Sequence, residues 1–175
     1  MISKNVSSAG KWQERPDLAW WIVGFVDGEG TFAINLFRNK TSELGWQCFP
    51  EFVITQGKGS IYSLLSVKEF FGCGQIYVNN RKDNHRENIL RFCIRNRMDI
   101  LNKVIPFFKV YKLKTKKRED FEKFYKIIYM LEKKLHLTND GLSSIAKIVE
   151  NMNRRKFQLI WNPQRPYAKI YQPLC

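Results

Sequence analysis

Leu18-Ala19-Trp20-Trp21-Ile22-Val23-Gly24-Phe25-Val26-Asp27-Gly28-Glu29-Gly30 is the stretch whose reading decides the fold. Residues 18–26 carry no charge, and two acids then alternate with glycines. Pro16 suits the first turn of a helix, where its missing N–H costs nothing, and Asp17 complements the positive end of the dipole. Gly28 and Gly30 stop the helix. A short apolar run also suits a buried strand, but the flanking signals favour helix. Apolar around its whole circumference, such a helix needs burial on more than one side.

Downstream of Gly30, Thr31 to Arg38 alternates as a half-buried strand, with Phe32, Ile34 and Leu36 on one face and Ala33, Asn35 and Phe37 on the other. A polar turn from Asn39 to Gly45 leads into a second strand, Trp46 to Gln56. Ser60 is placed to cap a helix that carries Ile61, Leu64, Leu65 and Phe71 and ends at Gly72 and Gly74. Gln75–Asn79 and Asn88–Ile94 form a second hairpin, whose loop from Asn80 to Glu87 is rich in Asn, Lys and Arg. Asp99 to Ile105 reads as a short helix closed by Pro106. Helical spacing then links Phe121, Phe124, Tyr125, Ile128 and Leu135, and again Leu142, Ile145, Val149 and Met152, with Thr138 or Asn139 as a cap. Such stripes are core. The fold class is therefore α+β, an antiparallel sheet with helices gathered on one face.

Composition agrees with one well-cored domain of 175 residues, 44% hydrophobic, with no sign of disorder. The net charge of +14 and pI near 9.8 point to a polyanionic partner, most simply nucleic acid. Cys48, Cys73, Cys93 and Cys175 lack C-x-x-C spacing, and with only His85 and His136 present a zinc site is disfavoured. These cysteines read as small buried hydrophobes in a reducing compartment. No run reaches transmembrane length and no signal peptide precedes the first charges, so no membrane association and an intracellular location are expected.

Ile22 to Gly30 resembles the signature of the LAGLIDADG homing endonucleases, an apolar helix ending in acid, small residue, acid, glycine. Val23 stands where that family usually has Ala, and Glu29 where it usually has Asp. The element order also resembles the family's αββαββα core, with a curved sheet as a DNA-binding saddle. The match divides the chain into an arm at 1–15, an endonuclease domain at 16–156 and a tail at 157–175. With one copy of the motif, the resemblance implies the single-motif type: a homodimer through the 18–26 helix. It would make magnesium-dependent double-strand breaks at a long, near-palindromic DNA target, with manganese as a substitute metal. An intron-encoded origin is also implied, in a chloroplast, a mitochondrion or another intron-bearing genome. RNA is the second choice of partner, because a maturase shares this fold, and a non-catalytic DNA-binding module is the third reading.

Phosphodiester hydrolysis calls for a divalent metal on hard oxygen ligands, a positioned water and a nearby cation. The resemblance assigns the metal to Glu29, with the Gly28 carbonyl as a further candidate, and gives Asp27 and Gly24 structural roles at the motif helix. It places Gln56, at the end of the second strand, beside the attacking water. Lys58 is the candidate replacement for a cation that the family usually carries just after this strand. The family's KK pair before a DF pair corresponds to Lys116-Lys117 before Asp120-Phe121, with Lys116 the first choice for the active site and Lys117 close behind. Strand alternation names the DNA face as Ala33, Asn35, Phe37 and the turn residue Asn39, then Gln47, Phe49 and Glu51, then Gln75, Tyr77 and Asn79, then Arg91; Arg38 at the end of the first strand is a further DNA-contact candidate. Arg81 and Lys82 in the loop, Lys114 in the basic run Lys109–Arg118, and Arg154, Arg155 and Lys156 are expected phosphate contacts.

Overall fold

A computed structural model describes Trp12, residues 14–79 and residues 88–152. Its elements run α1 (Pro16–Glu29), β1 (Gly30–Arg38), β2 (Trp46–Gly57), α2 (Ile61–Phe71), β3 (Gln75–Asn79), β4 (Ile89–Ile94), α3 (Arg97–Asp99), α4 (Ile105–Val110), α5 (Lys117–Glu132) and α6 (Asn139–Glu150). The strands form one antiparallel sheet in the order β1-β2-β4-β3. The expected αββαββα order is therefore present, with α5 and α6 following it.

Period-two alternation divides the sheet into two faces. Phe32 lies opposite Phe52, and Phe52 lies opposite Ile94, while Ile54 faces Phe92. All five are buried against the helical layer. Phe32 is the hub, with its ring 5.2 to 5.5 Å from Phe52, Phe108, Phe121 and Phe124. Each such fully buried ring contributes roughly 1.5–3 kcal/mol of hydrophobic stabilisation. The other face pairs Ala33 with Glu51, Asn35 with Phe49, and Phe37 with Gln47, so the faces that alternation assigned to β1 and β2 are the faces observed.

Helix α1 runs through Gly28 and stops at Gly30. A Cβ on Gly30 would lie 2.5 Å from Val26 Cγ1 and 2.9 Å from the Val26 carbonyl, so only glycine lets the chain turn from helix into strand there. Gly72, at φ +58°, ends α2 as expected. Thr138 caps α6 by accepting from the Gly141 N–H at 3.1 Å.

Four local expectations are corrected. Trp12 does not belong to a loose arm: it is buried, its ring edge-on to Phe107 at 5.5 Å. Ser60 occupies the N-cap position of α2, but its side chain makes no capping bond. Pro106 does not close a helix. A single wide π turn, Ile100–Val104, joins α3 to α4, and the Ile105 N–H reaches back five residues to the Ile100 carbonyl. That widening makes room for the proline ring, and the missing N–H falls in the first turn of α4. Leu135 leaves the α5 stripe, because the helix ends at Glu132 and Lys134 takes φ +57°; Leu131 is buried instead. No helix among the described residues is long and apolar enough to cross a membrane.

Candidate active site and nucleic-acid interface

Two acids, Asp27 and Glu29, sit in the last turn of α1 with no basic residue in that turn. Carboxylates are unfavourable at the negative end of a helix dipole, by roughly 0.3–1 kcal/mol each at exposed sites. Asp27 is compensated from outside the helix. Its carboxylate accepts the Lys114 N–H at 2.8 Å, the Thr115 N–H at 3.2 Å and the Thr115 hydroxyl at 2.8 Å. Glu29 is exposed at the tip of the helix. The acid at position 27 thus fastens the chain ahead of α5 to α1, while the acid at 29 is presented outward.

The same contact delivers a lysine to the tip of α1. Lys117 Nζ donates to the Gly28 carbonyl at 3.3 Å and to the Gly30 carbonyl. Lys116, one residue earlier, is exposed at the start of α5 and takes no part in this contact. Of the two candidates it is therefore Lys117 that meets the motif. The Gly28 carbonyl keeps one lone pair beyond that bond. Gln56 is half-buried two residues past Ile54, which pairs with Gly30, so the register carries it past the start of β1. Lys58 is exposed, its N–H bonded to the Asn88 carbonyl at 3.0 Å.

The outer face of α1 is uncovered. Trp20 and Trp21 are 49% and 41% exposed, Gly24 and Gly28 are exposed, and a Cβ on Gly24 would meet nothing within 4 Å. Trp21 stacks on Phe25 at 5.0 Å, and Trp20 packs edge-on to Tyr111 at 5.3 Å. Gly24 is thus a glycine that the chain's own packing does not require, one helical turn from two exposed tryptophans.

On the outer face of the sheet the expected residues gather. Asn35 and Phe37 lie across from Phe49 and Gln47, Asn39 follows at the turn, and Tyr77 lies across from Arg91, whereas Arg38 pairs with Trp46 in step with Ile34 and Leu36 on the other face. Asn39 donates through Nδ2 to Gln47 Oε1 at 3.0 Å, and its Oδ1 accepts the Thr41 N–H at 3.0 Å, which holds it at the turn. Phe37 and Phe49 pack on each other, ring centroids 6.0 Å apart, and Arg38 lies 4.9 Å over the Trp46 ring. Gln75 and Asn79 are exposed, and Lys114 lies 5.6 Å over the Trp20 ring near the motif helix. Glu51 differs from expectation: it is buried, its carboxylate bonded to Arg91 Nη2 at 3.2 Å and Arg95 Nε at 2.5 Å. It is not a side chain offered to solvent. Sequence reading missed Arg95, which continues the alternation of Arg91 and Cys93 one step beyond β4. The bond to Glu51 pushes the Arg95 guanidinium further up from its ordinary value. Burial pushes the Cys93 thiol up to about 11 and the Cys48 thiol to about 12, which makes both unreactive as thiolates near neutrality. Arg81, Lys82, Arg154, Arg155 and Lys156 lie outside the described residues.

Comparisons with known proteins bear on the family and the fold. Residues 22–128 match the family model for the LAGLIDADG endonuclease. The chain is 33% identical over 156 residues to probable intron-encoded endonuclease 3 of Neurospora crassa, covering 89% of this chain but 28% of that relative's length. It is 27% identical to the DNA endonuclease I-CeuI of Chlamydomonas moewusii, over 83% of this chain and 61% of that protein. The crystal structure of the homing endonuclease I-TnaI superposes with a TM-score of 0.72 at 42% identity, over 79% of this chain and 90% of that one. I-SmaMI bound to cleaved DNA gives a TM-score of 0.70 at 34% identity, over 78% of this chain and 44% of that one.

Proposed function

Since the chain belongs to the LAGLIDADG endonuclease family, we propose that it is a homodimeric, site-specific DNA endonuclease that makes double-strand breaks in intron homing. The observation that carries this reading is the tip of α1, where Asp27 is held by Lys114 and Thr115 while Glu29 projects outward beside an uncovered helix face. Two α1 helices packed through Trp20, Trp21, Gly24 and Gly28 would form a closed two-fold contact and bring two Glu29 carboxylates to the axis. One acid then serves each strand, and two-fold symmetry of the protein calls for a near-palindromic target. The relatives' names support DNA as the substrate and an intron as the setting.

The donor set fits magnesium, with manganese as a substitute. Both take hard oxygens, and magnesium is commonly held by one or two carboxylates together with substrate phosphates. Glu29 would hold the metal, with the Gly28 carbonyl as a second oxygen. When bound, the metal supplies an activated water and charge at the phosphate. Lys117 holds positive charge at the carbonyl end of α1, within reach of a phosphate brought to Glu29. Gln56 can orient a water through both its carbonyl and its amide. The outer sheet face, Asn35, Asn39, Gln47, Gln75, Asn79 and Arg91, offers base-reading groups to the major groove, and Lys58 and Lys114 supply backbone charge. Arg81, Lys82, Arg154, Arg155 and Lys156 belong to the same proposal as phosphate contacts, within a domain of residues 16–156.

A plasmid carrying the junction of the gene's own flanking exons tests it. Linear product with magnesium, and none with chelator, is expected. An intact plasmid with magnesium present would contradict the reading.

A further inference from the structure

Glu51 is the only buried charged residue among those described. It stands on the outer sheet face between two arginines. Its side chain is 7% exposed, whereas those of Arg91 and Arg95 are 39% and 40% exposed. Burying a carboxylate is costly unless it is paired and hydrogen-bonded, and here each oxygen takes a separate guanidinium. The sheet register explains the geometry. Phe52 pairs with Ile94, so one step further Glu51 and Arg95 come opposite each other, while Arg91 pairs with Thr55 two residues along β4 from Cys93. Small neighbours leave the space: Glu51 lies across from Ala33 on its other side.

The orientation of the bonds matters for recognition. Arg95 bonds Glu51 through Nε, which leaves the end-on fork formed by its two Nη groups outside that bond. Its guanidinium also lies 4.8 Å over the Tyr77 ring, which fixes the plane from a second side. Arg91 bonds through one Nη2 and keeps its remaining donors. The cluster has a net charge of +1, because one carboxylate faces two guanidiniums. An arginine fork held flat is suited to bidentate bonding to the O6 and N7 edge of guanine. Long arginines left loose would bind phosphates without regard to sequence.

We propose that Glu51 is a positioning residue for base recognition, holding Arg91 and Arg95 as a rigid pair of guanine readers on the outer sheet face, with Arg95 a specificity-determining residue. The inference rests on the DNA-binding reading above and adds to it the base class and the device that orients the readers. Glu51 touches no base. It raises discrimination by reducing the number of ways the two arginines can point.

Binding selection from a pool of random 30-base-pair duplexes, followed by sequencing, tests the device. Wild-type protein is expected to enrich sites with guanine at fixed positions. Arg95→Ala and Arg91→Ala should each lose preference at one such position per half-site, by about tenfold. Glu51→Gln should lose preference at both of those positions together, while binding to non-specific duplex is unchanged or tighter and more salt-dependent, because a negative charge has been removed. Arg95→Lys should behave as Arg95→Ala for base preference, since an ammonium lacks the fork. Arg91→Ala and Arg95→Ala each leave Glu51 one guanidinium partner, so the assignment is readable even if Glu51→Gln melts early. Unchanged base preference in Glu51→Gln or Arg95→Ala, or a uniform loss across all positions, overturns the inference and leaves DNA binding standing. A wild-type protein that enriches no duplex overturns both.

Discussion

Asp27 accepts both the backbone N–H and the hydroxyl of Thr115, at 3.2 and 2.8 Å, and so ties the chain leading into α5 to the last turn of α1. The two acids of the motif are separated in function by this contact. Removing it should loosen the frame and leave the chemistry's charge in place. Asp27→Asn is expected to lower stability by about 1–3 kcal/mol, the range for charge-assisted bonds to one carboxylate. Thermal melting reads the loss, while the magnesium concentration that gives half-maximal cleavage should stay where it is in wild type. A large shift in that concentration would make Asp27 a metal ligand instead.

Gly24 offers a cleaner separation of fold from assembly. Its Cβ position is open, and leucine is a better helix former than glycine by about 1 kcal/mol. Gly24→Leu should therefore melt no lower than wild type as a monomer yet fail to dimerise. Sedimentation velocity should show a species near 20.8 kDa for the variant and twice that for wild type. A wild-type monomer would remove the two-acid arrangement.

Lys116 and Lys117 differ by one position and by their surroundings. Lys117→Ala removes the ammonium from the Gly28 and Gly30 carbonyls and should slow cleavage at saturating DNA by roughly 10- to 100-fold. Lys116→Ala should weaken binding modestly, with a lower salt slope and an unchanged rate at saturation. Single-turnover rates over a DNA titration distinguish the two.

Asn35 and Ile34 lie next to each other on opposite faces of β1. Ile34 is 6% exposed within the core, so Ile34→Ala should cost about 2–5 kcal/mol and leave base preference alone. Asn35→Ala should relax preference at one base pair in each half-site, with little change in melting temperature. A cleavage profile over all single-base variants of the site reads both. Altered preference in Ile34→Ala would mean that the other sheet face meets the DNA.

How much of this was legible in the sequence depends on the range of the interaction. Helix α1, the alternation of β1 and β2, and the Gly72 and Thr138 ends follow from neighbours within a few residues, and local pattern is enough to read them. Glu51 is different. Alternation put it on the correct face, but its burial depends on Arg95, 44 residues away, meeting it across two strands. Arg95 was missed because the strand pattern was ended at Ile94, although its spacing from Arg91 carried the signal. Pro106 looked like a stop because a π turn leaves no mark that a proline rule detects. Choosing between Lys116 and Lys117 needed the Asp27–Thr115 contact, which fixes the register of α5 against α1 and lies 88 residues apart in sequence.

The central claim is that Glu29 holds the metal at the cleavage site while affinity for DNA comes from elsewhere on the protein. Glu29→Gln keeps the side chain's shape and removes its charge. The direct measurement follows both strands of an end-labelled target duplex in magnesium, alongside the dissociation constant for the same duplex in chelator. The expected result is binding within about threefold of wild type, an order-of-magnitude allowance given that phosphate contacts dominate affinity, with neither strand cut. Nicking of either strand by Glu29→Gln at near the wild-type rate would contradict the claim.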